Sequence, residues 1–262
     1  MLNPRGFLHI LLWTIVAAVV LKLAVLDACR VHSQSMQHTL EAGDFLLVSK
    51  IAYGARTPAT LPFTRITLPR LTLPGLGRPA RGDVLYFELP RDAHTATDGP
   101  VMFVKRCVGI PGDTVEGRAG TIFVNGREFL FPPTSRTSPD PSVFFPPVVV
   151  PKRGQDVSVS PGELPVWEAI IRSEGHRLEE SPGGVVTIDG VARPAYRLER
   201  DYYFVLGDNL GESLDSRAWG FVPEDNILGK VIFTFWSREE TASGFWGGLF
   251  SIRWDRIGRT VR

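Results

Sequence analysis

The chain has only two cysteines, Cys29 and Cys107, in 262 residues. That excludes a disulfide framework and a cysteine-rich zinc site. Its five histidines (His9, His32, His38, His94 and His176) form no HExxH-type pair, which argues against a metalloenzyme. An excess of one charge is also missing. The 29 basic and 28 acidic side chains leave a net charge of +1, so no global field draws in nucleic acid. Lysine is scarce, five residues against 24 arginines. Hydrophobic residues at 44% and charged residues at 22% are ordinary globular usage and exclude wholesale disorder. Glycine (26) and proline (21) are plentiful, which favours strands and turns over long helices.

One long apolar run stands out, Phe7 to Leu26, 20 residues with His9 and Lys22 as its polar exceptions. A helix rising roughly 1.5 Å per residue covers the hydrocarbon core, about 30 Å, in that length. Both polar residues lie near an end, where a long side chain reaches the interface. The run therefore predicts a single-pass anchor over 7–26. Arg5 and the amino terminus favour a cytoplasmic location for residues 1–6, with the rest of the chain outside the cytoplasm. A cleaved lipoprotein-type leader ending at Leu26-Asp27-Ala28-Cys29 is the rival reading. Lys22 inside the run and Asp27 at the cut weigh against it.

Beyond the anchor the chain reads as strands. Phe45–Val48, Val84–Phe87, Val101–Val104, Thr121–Val124, Tyr202–Leu206 and Val231–Trp236 are short β-rich runs bounded by turn residues. Asn125-Gly126 after the fourth run is a strong hairpin signal. Residues 27–131 and 196–242 are thus expected to form a mainly β core of antiparallel sheets. Residues 132–195 differ, holding 11 of the 21 prolines. One helix is expected there, Pro165 to Ser173, and a turn at Asp189-Gly190, giving an inserted α/β lobe. The last stretch, 243–262, is aromatic and basic. Its Phe245, Trp246, Phe250 and Trp254 form either core or an apolar patch rimmed by Arg253, Arg256 and Arg259 that rests on lipid headgroups.

Two residues carry chemical promise. Ser35 lies in a polar loop just after the anchor, where a lone serine is ordinarily a turn former. Lys105 lies in the apolar run Val101–Ile110 of a chain that otherwise prefers arginine. A buried lysine can shed its proton and an arginine cannot, so a lysine kept there suits a general base for a hydroxyl nucleophile. The alternative is a lysine that snorkels beside Arg106. A third segment, Gly207 to Gly220, packs Asp208, Asn209, Ser213, Asp215, Ser216 and Arg217 into a loop after a strand, which suggests a buried hydrogen-bond network.

Taken in order, these segments resemble the boxes of bacterial type I signal peptidases, the Ser–Lys proteases of the secretory pathway. Ser33-x-Ser35-Met36-x-x-Thr39-Leu40 is similar to the nucleophile box, and Gly43-Asp44-Phe45 to the strand after it. Arg81-Gly82-Asp83 and Lys105-Arg106-x-Val108-Gly109-x-Pro111-Gly112-Asp113 resemble the next two boxes. Gly207-Asp208-Asn209 through Ser213-x-Asp215-Ser216-Arg217 resembles the last. The resemblance implies a membrane-anchored signal-peptidase-like β fold that removes signal peptides from preproteins after Ala-x-Ala ends.

Residue by residue, it implies Ser35 as nucleophile and Lys105 as general base. The Ser35 N–H and the Ser33 hydroxyl would form the oxyanion hole, and Ser213 would orient Lys105. Asp208, Asn209, Asp215 and Arg217 would give structural support, the last two as an ion pair. Val31, Met36, Leu40 and Val104 would line the shallow substrate pockets. The implied partners are signal peptides and membrane lipid, with no nucleic acid, metal or cofactor. The implied state is a monomer at the plasma (inner) membrane. His32 stands where the family usually has Pro, and Leu210 where it usually has Arg, which removes a charge near the site. Two other readings keep the same elements: an inactive membrane-anchored binding protein, and a self-cleaving Ser–Lys protein.

Overall fold

The computed structural model describes residues 4–20, 22, 25–54, 74–89, 101–133, 143–160, 162–181, 185–239 and 251–261. The first helix, α1 (Pro4–Val20), is 17 residues of almost unbroken apolar sequence. Its described side chains from Phe7 to Val16 are exposed and pack on nothing in the body of the protein. Among the described residues no helix is long and apolar enough to cross a membrane. Leu21, Leu23 and Ala24 fall outside them. The expected end of the span at Leu26 is corrected, because Leu26 opens a strand, β1 (Leu26–Arg30). The sequence could not show this break, since the apolar run continues through it. The break comes from pairing: Leu26 sits opposite Ser49, and the Lys50 ammonium holds both the Lys22 carbonyl and the Asp27 carboxylate.

The remaining elements follow in chain order. They begin with β2 (Asp44–Ser49), β3 (Val84–Glu88), β4 (Met102–Gly109), β5 (Thr114–Arg118), β6 (Thr121–Val124), β7 (Arg127–Glu128) and β8 (Phe145–Val149). Next come β9 (Asp156–Ser158), α2 (Leu164–Ser173), β10 (Leu178–Glu180), β11 (Val186–Ile188), β12 (Val191–Ala192) and β13 (Ala195–Arg197). The chain returns through β14 (Tyr202–Leu206), α3 (Ser216–Trp219), β15 (Val222–Pro223) and β16 (Ile227–Ser237). The architecture is mainly β and antiparallel. A seven-stranded sheet runs β1-β2-β16-β3-β4-β14-β15 and carries all the sequence boxes on its strands or the loops between them.

A second sheet, β7-β6-β5-β8, takes three strands from before Pro132 and one from the proline-rich stretch. Strand β8 contains Pro146 and Pro147, which a sheet tolerates only at an edge, and β8 is an edge. The Asn125-Gly126 turn joins β6 to β7 with both residues at positive φ (53° and 75°), as a tight hairpin needs. Helix α2 begins with a proline in its first turn and buries Ile170 and Ile171. These pack in one apolar cluster with Val115 and Ile122 of the second sheet and Tyr202, Phe204 and Leu206 of β14. The lobe is therefore bonded through its core to the strand that leads into the Gly207 loop.

Candidate active site

The loop between β1 and β2 presents Ser35. Val31 and Gly43 close its base with hydrogen bonds, Val31 N–H to the Asp44 carbonyl and Gly43 N–H to the Val31 carbonyl, each 2.9 Å. Inside, a helical turn forms (Leu40 N–H to the Met36 carbonyl, 2.8 Å), which drives the side chains of Met36 and Leu40 into the core. Ser35 is left at the rim, 6% exposed, with its hydroxyl 3.1 Å from that of Ser33. Gly43 has φ 93°, and a Cβ there would collide with the Arg238 carbonyl, so no other residue closes this loop.

A buried ion cluster staples the same loop to the C-terminal segment. Asp44 is fully buried and accepts from Arg256 Nη2 (2.6 Å), Ser237 Oγ (2.7 Å) and the Glu41 N–H (2.9 Å). Burial pushes its carboxyl upward, but these bonds outweigh burial and hold it below the usual carboxylate range. Arg253 donates to the Ala42 carbonyl and to Glu41. The sequence leaves this segment open between core and a lipid-facing patch rimmed by arginines, and the structure takes Arg253 and Arg256 out of such a rim. Asp44 is a buried anion that needs both a cation and donors, and these arginines supply them. Of that patch, Trp246 and its neighbours lie outside the described residues.

Lys105 sits on β4 opposite Leu85, 1% exposed. Its ammonium donates to Ser213 Oγ at 3.0 Å and lies 5.6 Å from the Phe103 ring centre. Burial lowers its pKa to about 8; Asp215 and Asp208 push back upward and Arg217 adds to the lowering. Lys105 therefore does not snorkel to the surface. Phe103 went unnoticed in the sequence, although two residues before Lys105 on one strand is the same face.

The next residue along, Arg106, has the opposite fate. Its guanidinium forks onto Asp208 with two 2.6 Å bonds, and its third arm reaches the Gly82 carbonyl. Both side chains are essentially unexposed, so this bidentate pair bolts β4 to the Gly207 loop.

That loop joins the two candidates. The Asn209 N–H donates to the Ser35 carbonyl at 3.0 Å, and its side-chain amide reaches the Gln34 carbonyl and Gln37. At Gly207, any Cβ would strike both the Ser213 hydroxyl and the Ser35 carbonyl, so the Ser35 loop and the lysine's hydroxyl partner meet across a bare backbone. Asp215 accepts the Gly207 N–H at 3.1 Å and a forked pair of bonds from Arg217 (2.7 and 2.8 Å). Arg217 also binds the carbonyls of Leu210 and Ser213. Thus the loop carrying Ser213 is tied at both ends.

Leu210 turns inward, 4% exposed, into the lobe's apolar cluster, so no charge is withdrawn from a solvated site here; the side chain extends the core. His32 is exposed. Val31, Met36 and Leu40 are buried in one cluster with Leu46, Val48 and Val84, and half-buried Val104 packs on it. Cys29 packs on the same cluster, and burial, with the Asp27 charge, raises its thiol pKa to about 12, so it is inert.

Across the Gly207 backbone the Ser35 loop meets Ser213, whose hydroxyl accepts from a buried lysine of weakened basicity. Comparisons with known proteins place the chain in a family. The signal peptidase family, peptidase S26, matches residues 5–236. Signal peptidase I of Pseudomonas aeruginosa is 32% identical over 83% of this chain and 67% of its own length. The Buchnera aphidicola (Schizaphis graminum) signal peptidase I is 28% identical over 91% and 76%. A solved signal peptidase I of Enterococcus faecalis aligns at 24% identity over 58% of this chain and 96% of its own, with a TM-score of 0.31. A chain with this site, matched to one family over nearly its whole length, belongs to the type I signal peptidases of peptidase family S26, which are serine endopeptidases.

Proposed function

We propose that this protein removes N-terminal signal peptides from exported preproteins with a Ser35–Lys105 dyad, cutting after small residues of the Ala-x-Ala type. The observation that carries the reading is Lys105: buried, hydrogen-bonded to Ser213 and lowered to about 8. At pH 7.5 about a quarter of such a lysine is neutral, against about 0.1% for an ordinary one. Neutral Lys105 takes the Ser35 proton as Oγ attacks the scissile carbonyl, and the resulting ammonium returns that proton to the leaving amine. The Ser35 N–H and the Ser33 hydroxyl stabilise the oxyanion. A water, deprotonated by Lys105, then releases the acyl group. Asp208, Asn209, Asp215 and Arg217 hold the Gly207 loop, and with it Ser213, in place.

The buried apolar cluster of Val31, Met36 and Leu40, with half-buried Val104 packed on it, supports a shallow apolar site suited to small side chains. We take the protein to be a single-pass monomer of the plasma membrane with its amino terminus inside; attachment through α1 is supported by the exposed apolar side chains of that helix. The edge-on pair Trp236–Trp254, with Trp254 70% exposed, gives the body a second contact for lipid. The test is preprotein cleavage by the full chain in detergent. Ser35→Ala and Lys105→Arg should each abolish it while the circular dichroism stays unchanged. Substantial cleavage by Lys105→Arg overturns the dyad, because guanidinium cannot accept the proton. The exposed His32 then becomes the base to examine.

A further inference from the structure

The inserted lobe carries a cleft of about 470 Å³, between the β11–β12 turn, strand β13 and the turn at Gly154. Its size lies within the range of small-molecule sites, about 300–1,000 Å³. The floor is apolar and buried, made by Ile188, Tyr196 and Leu198. The walls are fixed by the backbone: Gly154 N–H donates to the Leu198 carbonyl and Leu198 N–H to that of Gln155, at 2.8 and 2.9 Å.

What distinguishes the cleft is how its charges are matched. Asp189 accepts from the Arg177 N–H and from His176 Nδ1 at 2.6 Å, while Glu199 lies 3.3 Å from His176 Nε2. These two carboxylates hold the imidazole in its charged form to higher pH than usual, Asp189 first. Arg153 is bound to Glu224, and its N–H is bonded to Asp201. Every acid facing the cleft is therefore satisfied within the protein. Two cations are not. Among the described residues, Arg193 acts on Asp189 through its charge without forming an ion pair, and Arg197, although opposite Asp156 in the β13–β9 ladder, forms no ion pair with it. The Arg197 guanidinium lies beside Gly154, where a Cβ would stand 3.9 Å away in ordinary contact.

Two exposed guanidiniums lining one cleft suit an oxyanion. One fork matches the two oxygens of a carboxylate, and the three terminal oxygens and greater charge of a phosphate monoester suit two forks better. The cleft is larger than a phosphate alone, and its floor is apolar, so the anion carries an organic group. We propose that this cleft binds a phosphate ester, gripped by Arg193 and Arg197, with the attached group lying over Tyr196 and Ile188. The ester is either a soluble phosphomonoester or the headgroup of a membrane phospholipid. This does not depend on the peptidase reading.

The test uses the full chain in a maltoside detergent, which contains no phosphorus, and follows ³¹P linewidths of glycerol phosphate and of monomeric dihexanoyl phosphatidylglycerol. Saturable broadening is expected, weakened at least about tenfold in Arg193→Ala/Arg197→Ala and less in the double lysine variant, which keeps charge without the fork. Preprotein cleavage by either variant should be unchanged. Binding of the lipid at least about tenfold tighter than glycerol phosphate identifies a headgroup site, and the reverse or equality a soluble ester. Three results overturn the proposal: no saturable broadening, equal broadening in the alanine variant, or displacement by acetate as readily as by inorganic phosphate.

Discussion

Lys105 should reveal its burial in the pH dependence of cleavage. With its pKa lowered to about 8, the neutral fraction is about 10% at pH 7 and about 90% at pH 9. The free enzyme's kcat/KM should therefore rise about tenfold across that interval and bend to a plateau. A lysine with the ordinary value would instead give a rise of about a hundredfold over the same two units, still climbing at pH 9. The same shift acts on stability, with a definite sign. The folded chain binds this proton less readily than the unfolded chain, so the penalty is fully present below pH 8 and disappears as pH rises through the unfolded value of about 10.5. A lowering of about 2.5 units corresponds to about 3 kcal/mol. Lys105→Met, close in volume, should thus be inactive but more stable at pH 7 by about 2–3 kcal/mol, since it removes a buried charge whose partner Ser213 is neutral. Initial rates on a preprotein from pH 6.5 to 10, with thermal unfolding of both proteins in the same detergent, read both effects. A log-linear rise with no bend by pH 9.5, or a Lys105→Met protein less stable than the parent, would refute the reasoning.

Two other perturbations test the frame around the site. Gly207→Ala should abolish cleavage while leaving the lobe folded, because its Cβ displaces both Ser213 and the Ser35 carbonyl; near-normal turnover would show that the two segments do not meet there. Arg256→Met should cost about 3–5 kcal/mol by leaving Asp44 buried without its main cation, measured by chemical unfolding at pH 7, and the deficit should shrink as acid protonates Asp44 below its usual range. A loss under 1 kcal/mol would mean that Arg253 alone suffices.

The strand pattern, the Asn125-Gly126 hairpin and α2 were legible because each depends on residues within one short segment. Short β-rich runs between turn residues, turn residues with accessible positive φ, and a helix opened by proline are local facts. Ser35, Lys105 and Ser213 were legible as candidates for another reason: their residue types and order match one family's boxes, and a buried lysine, unlike an arginine, can lose its proton inside a strand. Strand β1 was hidden, since Leu26 continues an apolar run and only the ladder with β2 turns the chain into a sheet. Arg253 and Arg256 were not placed by the sequence, because a basic, aromatic tail reads as surface or core alike until Asp44 is found buried more than 200 residues earlier in the chain. Leu210 looked like a lost charge and proved to be core. The amino-acid sequence alone determined which groups are available for chemistry and the strands that carry them. Only the tertiary structure decided which charges face one another, because pairing across the sheet depends on register and on burial, and neither is a property of any local segment.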